Sequence, residues 1–276
     1  MHEWIELDKG IFIISIDTEF AWGFTDMLDT KLARKYIDII KKRSRMNILR
    51  ILKISEELNV PITFGFVGRL LLDNGRSYNS VWHARDVFQQ VLSSRVEHEI
   101  ACHSFSHIDF SRCSREEAQQ DIRMCKRVMK DFGVDPVSFL YPRNRIGYLD
   151  ILEKEGFKTF RYKIRYKYVK NSPLSLFKQQ YNLPSKIDKL LAIPANYLFQ
   201  SSSYMVSTAL WIATLEALKE IAVKRKVLHI MLHDYIESDI IILYLKHILT
   251  YAKKLEIRNL IEIKTMQETY EKFKNA

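Results

Sequence analysis

Glu99-Ile100-Ala101-Cys102-His103-Ser104-Phe105-Ser106-His107 is a short apolar run that passes directly into two histidines four residues apart. An earlier run, Ile11 to Ile16, ends in the same manner on Asp17-Thr18-Glu19. Short β-prone runs with polar, chemistry-bearing side chains at their carboxyl ends are what a parallel α/β sheet presents along its functional edge. Further runs of this kind are Ile62 to Val67, Ser138 to Tyr141, Thr159 to Tyr162, Val227 to Leu232 and Asn259 to Ile263. Helical patterns fill most of the gaps. Ile48, Leu49, Leu52 and Leu58 keep a helical stripe that stops at Asn59 before Pro61, and Ser114-Arg115-Glu116-Glu117 is a capping box for a helix ending near Gly133. A third helix is expected from about Ser207 to Val223. Strands alternating with helices predict β/α units and a mainly parallel sheet of about seven strands in one domain. Residues 24–44 and 171–203 fit the alternation less well and read as insertions over the carboxyl end of the sheet.

Two histidines and a carboxylate are a common ligand set for catalytic zinc, with water at the open position, and a neighbouring carboxylate can take the proton from that water. His103, His107 and Glu19 supply such a set, and Asp17 the base. Asp17 and Glu19 lie two apart, so on an extended strand end their side chains point the same way. Two carboxylates so close repel unless a cation lies between them or one is protonated. The histidine spacing lets both imidazoles meet one ion if residues 103–107 form a helical turn.

His229 and His233 share that spacing in His229-Ile230-Met231-Leu232-His233-Asp234, but on a strand they would stand ~13 Å apart and cannot share one ion. His233, at the strand's carboxyl end, is the candidate general acid, with Asp234 to orient it or to act elsewhere; His229 reads as structural. Tyr141-Pro142-Arg143-Asn144 ends another strand, and the Arg143 guanidinium is expected to hold and aim the base.

The chain has 276 residues and a net charge of +10, and from Phe157 to Leu215 its only acid is Asp188. Lys158, Arg161, Lys163, Arg165, Lys167 and Lys170 crowd one stretch of that region, which suits a phosphate-bearing substrate or an anionic membrane face. Trp22, Tyr141, Asn144, Lys163 and Arg165 are the candidate substrate-binding residues. No nucleic-acid motif accompanies the basic run. Ile11 to Ile16 is too short for a signal-peptide core or a membrane span, and a cytoplasmic protein is expected. Three cysteines without a C-x-x-C pair read as free thiols.

These motifs, in this order, resemble the polysaccharide deacetylase family, carbohydrate esterases built on a distorted (β/α) barrel. Asp17-Thr18-Glu19 is similar to the family's first motif, a base followed by a metal-binding carboxylate. His103-Ser104-Phe105-Ser106-His107 matches its His-Ser/Thr-x-x-His motif, Tyr141-Pro142-Arg143-Asn144 is similar to its arginine motif, and Leu232-His233 matches its late Leu-His motif. Pro61 to Val67 and Ile263 to Glu268 resemble its second and last strands. The usual Asp-x-x-Asp-Trp motif is absent, and the first motif lacks the adjacent acids and glycine of its commonest form. The resemblance implies a divalent metal, zinc above others, on Glu19, His103 and His107. Asp17 would be the base, aimed by Arg143, and His233 the acid, in an N-deacetylase acting on a nucleotide-linked or lipid-linked amino sugar. Another amide, such as a ureide or cyclic imide, and a catalytically silent sugar-binding protein remain as alternatives.

Overall fold

The computed structural model describes residues 7–72, 80–163 and 183–274. Among these, ten strands form one sheet: β1 (Gly10–Thr18), β2 (Thr63–Phe66), β3 (Glu99–Cys102), β4 (Ser138–Leu140), β5 (Thr159–Lys163), β6 (Ser185–Ile187), β7 (Leu190–Ala195), β8 (Tyr197–Leu198), β9 (Val227–His233) and β10 (Ile261–Ile263). All pairings are parallel except β6 with β7. Seven α-helices pack outside or beneath: α1 (Lys31–Leu58), α2 (Arg85–Leu92), α3 (Arg115–Lys130), α4 (Leu149–Lys154), α5 (Tyr204–Lys224), α6 (Asp239–Ile257) and α7 (Met266–Phe273).

The seven expected strands are β1 to β5, β9 and β10. The three additional ones all lie within 171–203. Only a single residue, Asn196, separates β7, paired to β5, from β8, paired to β9. Asn196 exchanges hydrogen bonds with the His229 backbone, its N–H donating to the carbonyl and its side-chain oxygen accepting from the amide. The chain therefore steps from one end of the sheet to the other and curls it toward closure. The curl is irregular at β1, which pairs with β10 at Gly10–Phe12, with β2 at Ser15–Thr18 and with β9 along Ile11–Asp17. Residues 24–44 are not a separate loop: a 3-10 helix (Phe20–Met27) leads into the first half of α1. Residues 171–182 lie outside the described residues.

Side chains alternate across each strand. Phe12, Ile14 and Ile16 of β1 join the large core beneath the helices. Ile11 and Ile13 join a second cluster with Ala101, Leu140, Leu191, Ile193, Met266 and Phe273, which fills the interior and is plugged from the strands' amino ends by α7. The next inward positions of β1 are Ser15 and Asp17, both buried, so the interior turns from apolar to polar along the strand.

Local signals act as the sequence requires. The α1 stripe ends at Asn59, whose φ of 49° closes the helix in the left-handed region, and Ser114 with Glu117 forms the capping box of α3. The reading of three free thiols is corrected: Cys102 of β3 and Cys125 of α3 form a disulfide, leaving Cys113 free. An odd cysteine count and a separation of 23 residues carry no sign of that pairing, which depends on α3 packing against the end of β3.

Candidate metal-assisted hydrolytic site

Glu19, His103 and His107 meet at the carboxyl end of the sheet, all buried, with ligand-capable atoms within 4.8 Å of one another. Glu19 Oε2 lies 3.1 Å from His103 Nε2 and 2.9 Å from His107 Nε2. His103 Nδ1 is 2.7 Å from the Leu140 carbonyl, which holds the Nδ1–H tautomer and turns the lone pair of Nε2 toward Glu19. Two imidazole nitrogens and a carboxylate oxygen thus converge, with the His103 Nε2 lone pair left free for an ion. That donor set fits a divalent cation of the zinc type. Residues 103–107 do not form a helical turn; they are a loop with two non-glycine residues in the left-handed region, Ser104 at φ 68° and His107 at φ 58°.

Glu19 is itself held on several sides. Asp234 Oδ1 accepts from the backbone amides of Glu19 and Phe20 at 3.0 and 3.1 Å, so Asp234 fixes the end of β1 rather than orienting His233. The Asp234 backbone carbonyl accepts from buried Asn47 of α1 at 2.8 Å. Tyr235 Oη donates to Glu19 Oε1 at 3.1 Å. Gly23 leaves room for the carboxylate, because a Cβ there would overlap Glu19 Oε1. Burial alone would raise the Glu19 carboxyl, but His107 and His103 bring it well below its ordinary value.

Asp17 sits beside this cluster, its Oδ2 3.9 Å from His103 Nε2. The expectation that Arg143 holds it is corrected. Arg161 of β5, wholly buried, forms a bidentate pair with Asp17 at 2.6 Å to each oxygen. Arg143 instead pairs with Asp26 and donates to the Gly23 carbonyl at 3.1 Å. It follows the end of its strand at φ 55°, and so leaves the barrel, whereas Arg161 lies inside a strand on the inward face. Arg161 is consequently unavailable to a phosphate. Burial would raise the Asp17 carboxyl, but the Arg161 guanidinium and His103 hold it below its ordinary value, ionised at neutral pH.

Beneath Asp17, Ser15 Oγ accepts from Arg161 Nη1 at 3.0 Å and lies 2.8 Å from His229 Nε2. With its oxygen accepting from Arg161, the serine hydroxyl is left to donate to His229. Burial, reinforced by Arg161, pushes His229 down to about 3. Its folded value lies below its unfolded one, so the unfolded chain binds the extra proton and stability is lost as pH falls from 6.5 toward 3. Between pH 6.5 and 5 this amounts to about 2 kcal/mol. We expect His229→Gln to lower the pH slope of urea-unfolding free energy over that range by about one proton. His98, pushed down to about 4 chiefly by burial, keeps part of the slope; an unchanged slope in the variant would place the His229 proton elsewhere.

His233 of β9 is the register partner of Asp17 of β1, its Nε2 4.0 Å from Glu19 Oε1 and its ring stacked on Tyr235 at 4.8 Å. Gln200 accepts from its backbone amide at 3.0 Å. Its Nδ1 has no hydrogen-bond partner among the described residues, in keeping with the absent Asp-x-x-Asp-Trp motif. Burial lowers its proton affinity.

The expected substrate contacts divide. Tyr141 is fully buried with its hydroxyl on the Gly147 carbonyl, so it is a core residue and not a contact. Asn144 stays near the mouth, its Nδ2 3.9 Å from Met231 Sδ. Trp22 is half-buried, its indole donating to the Trp82 carbonyl at 3.0 Å while Arg69 lies over its ring. Lys163 ends β5; its side chain and all of Arg165 lie outside the described residues. Sequence reading missed Arg161 as the partner of Asp17. Its signal was the strand alternation of Thr159-Phe160-Arg161-Tyr162, which puts a guanidinium on an inward face that only an acid could satisfy.

Residues 38–168 match the profile of the polysaccharide deacetylase family. No curated protein matches in sequence. Solved structures of similar fold include a Mycobacterium smegmatis protein assigned to the polysaccharide deacetylases (16% identity over 98% of this chain and 91% of that one, TM-score 0.67). Another is the Puue allantoinase (14%, 95% and 89%, TM-score 0.70). A third is BA3943, a CE4 family pseudoenzyme from Bacillus anthracis (13%, 95% and 66%, TM-score 0.53). The match to the polysaccharide deacetylase family thus spans residues 38–168, and the chain as a whole shares the distorted α/β barrel of these solved structures while standing far from them in sequence.

Proposed function

We propose that the protein is a metal-dependent N-deacetylase that removes acetate from an N-acetylated amino sugar carried on a nucleotide or a lipid. The observation that carries this reading is the Asp17 carboxylate, buried, ionised and clamped by Arg161 beside the Glu19–His103–His107 cluster. A divalent ion on those three residues would supply Lewis-acid polarisation of the acetyl carbonyl and a more acidic water. Asp17 takes the proton as the water oxygen bonds to the carbonyl carbon. His233, at the end of the neighbouring strand β9, gives a proton to the nitrogen as the C–N bond breaks, and acetate and a free amine leave.

We place the reaction in the cytoplasm, where nucleotide-linked or lipid-linked precursors are available, a lipid carrier bringing the protein to an anionic membrane face. Among the described residues no helix is long and apolar enough to cross a membrane. With Arg161 committed to Asp17, Lys163 and the cations after it are left to meet a phosphate.

The test is acetate release by zinc-loaded protein from a panel of N-acetylated nucleotide sugars, N-acetylated oligosaccharides and, as a different amide class, allantoin. Release from a sugar supports the proposal and names the substrate. Turnover of allantoin alone would replace it with the second reading, which the fold shared with an allantoinase and the His233 Nδ1 left without a carboxylate partner favour. Zinc bound without turnover of any amide would overturn it in favour of a binding protein.

A further inference from the structure

The loop carrying both histidines is gripped from outside the site by α3. One of its faces is tied to β2 and the turn after it: the His103 amide donates to the Phe66 carbonyl at 2.9 Å, and the amides of Gly68 and Arg69 donate to the carbonyls of Ser104 and Phe105 at 2.9 and 2.8 Å. The other face is tied to a single side chain, Asp121 of α3, which is 5% exposed. Its Oδ1 accepts from Ser104 Oγ and the Phe105 amide, each at 2.7 Å, and its Oδ2 from the Ser106 amide at 2.9 Å and Ser106 Oγ at 2.7 Å. All three residues between the histidines thus donate to one carboxylate. The loop needs such a hold, because left-handed backbone at the non-glycine residues Ser104 and His107 is unfavourable and persists only where surrounding contacts impose it.

We propose that Asp121 is a positioning residue of the metal site: it sets the separation and aim of His103 and His107 around Glu19, and so governs metal affinity without being a ligand. The inference rests on the reading of Glu19, His103 and His107 as the ligands. Its four donors include two backbone amides and two hydroxyls. Asn at 121 can still accept from Ser104 and Phe105 through Oδ1, but turns an NH2 group onto the Ser106 amide, opposing donor to donor. Ser106 would swing away, and His107, the next residue, with it.

Glu99 supplies a control. It is also a buried carboxylate, bonded to Thr63 Oγ1, Ser138 Oγ and the Gln267 amide, but at the opposite end of β3, where it caps α7. Zinc affinity is measured by competition with a chromophoric chelator, and thermal unfolding of the metal-free proteins is followed alongside. The expected result is a 10–100-fold weaker zinc affinity for Asp121→Asn, the range for losing a group that orients a ligand, with Glu99→Gln lowering the melting temperature but leaving affinity within about twofold of wild type. Should Asp121→Asn fail to fold, Ser106→Ala removes one donor of the four and is expected to weaken zinc several-fold. Equal affinities in wild type and the folded Asp121 or Ser106 variant would overturn the inference, as would an affinity loss in Glu99→Gln matching that of Asp121→Asn. Wild-type protein that binds no zinc overturns the ligand reading itself, a different result from zinc bound equally by both.

Discussion

Arg161→Met is expected to destabilise the metal-free protein by about 3–5 kcal/mol, whereas Arg143→Met should cost less than about 1 kcal/mol. Both arginines hold a carboxylate in two-toothed fashion, and the difference is where they do it. Asp17 and Arg161 are 4% and 0% exposed, so removing the guanidinium leaves a carboxylate with no water to replace its partner. That carboxylate would have to remain charged in a dry interior or take up a proton, and either course is unfavourable. Asp26, the partner of Arg143, has a side chain 54% exposed, and water can take over the solvation. The comparison is made by urea unfolding at pH 7. The double variant Arg161→Met with Asp17→Asn should recover part of the loss, because it removes the stranded charge along with its partner. Additive losses in the double variant, or equal losses for the two arginines, would show that the buried pair does not hold the site together.

The same contrast shows what the sequence could and could not reveal. Apolar runs ending in Asp17, His103 and His233 announced both the strands and the functional end of the sheet, since inward and outward faces are both buried and little but the strand end is free to be polar. β6, β7 and β8 escaped notice for separate reasons. β6 is three exposed residues, β8 is two residues, and β7 carries Pro194, which argues against a strand in the body of a sheet. The first half of α1 was obscured by its charges, seven Lys and Arg residues between Lys31 and Arg45 interleaving with apolar positions such as Ala33, Tyr36 and Ile40. Arg161 was read with the surrounding cations because composition counts charges without regard to face, and only the register of β5 against β4 and β7 turns it inward while its neighbours face the core. Asp121 and Asp234 were illegible as props of the metal ligands, since each reaches across a separation of more than a dozen residues to amides whose exposure depends on the finished loops. Side-chain chemistry at strand ends is local in sequence; the groups that aim it are not.

Asp17→Asn is expected to lower amide hydrolysis by about 10²–10⁴-fold while zinc is still bound, and His103→Ala to lose both. The separation follows from the geometry. Asp17 is not among the three converging ligand atoms, whereas His103 supplies one of them and also the tautomer fixed by Leu140. Both Asp17 oxygens are engaged by Arg161, but each carboxylate oxygen has two lone pairs, so a position toward the cluster remains on Oδ2 to accept a proton. Asn at this position cannot accept it on nitrogen and presents an NH2 group to the guanidinium, so the variant will also be less stable. Zinc affinity therefore serves as the check that the surviving molecules are folded around an intact site. Loss of turnover with affinity kept within a few-fold assigns the proton-accepting step to Asp17. If Asp17→Asn kept turnover while His103→Ala lost it, the proton would have to go to another group beside Glu19, first of all His233, whose unpartnered Nδ1 would then mark a ring free to change its protonation during the reaction.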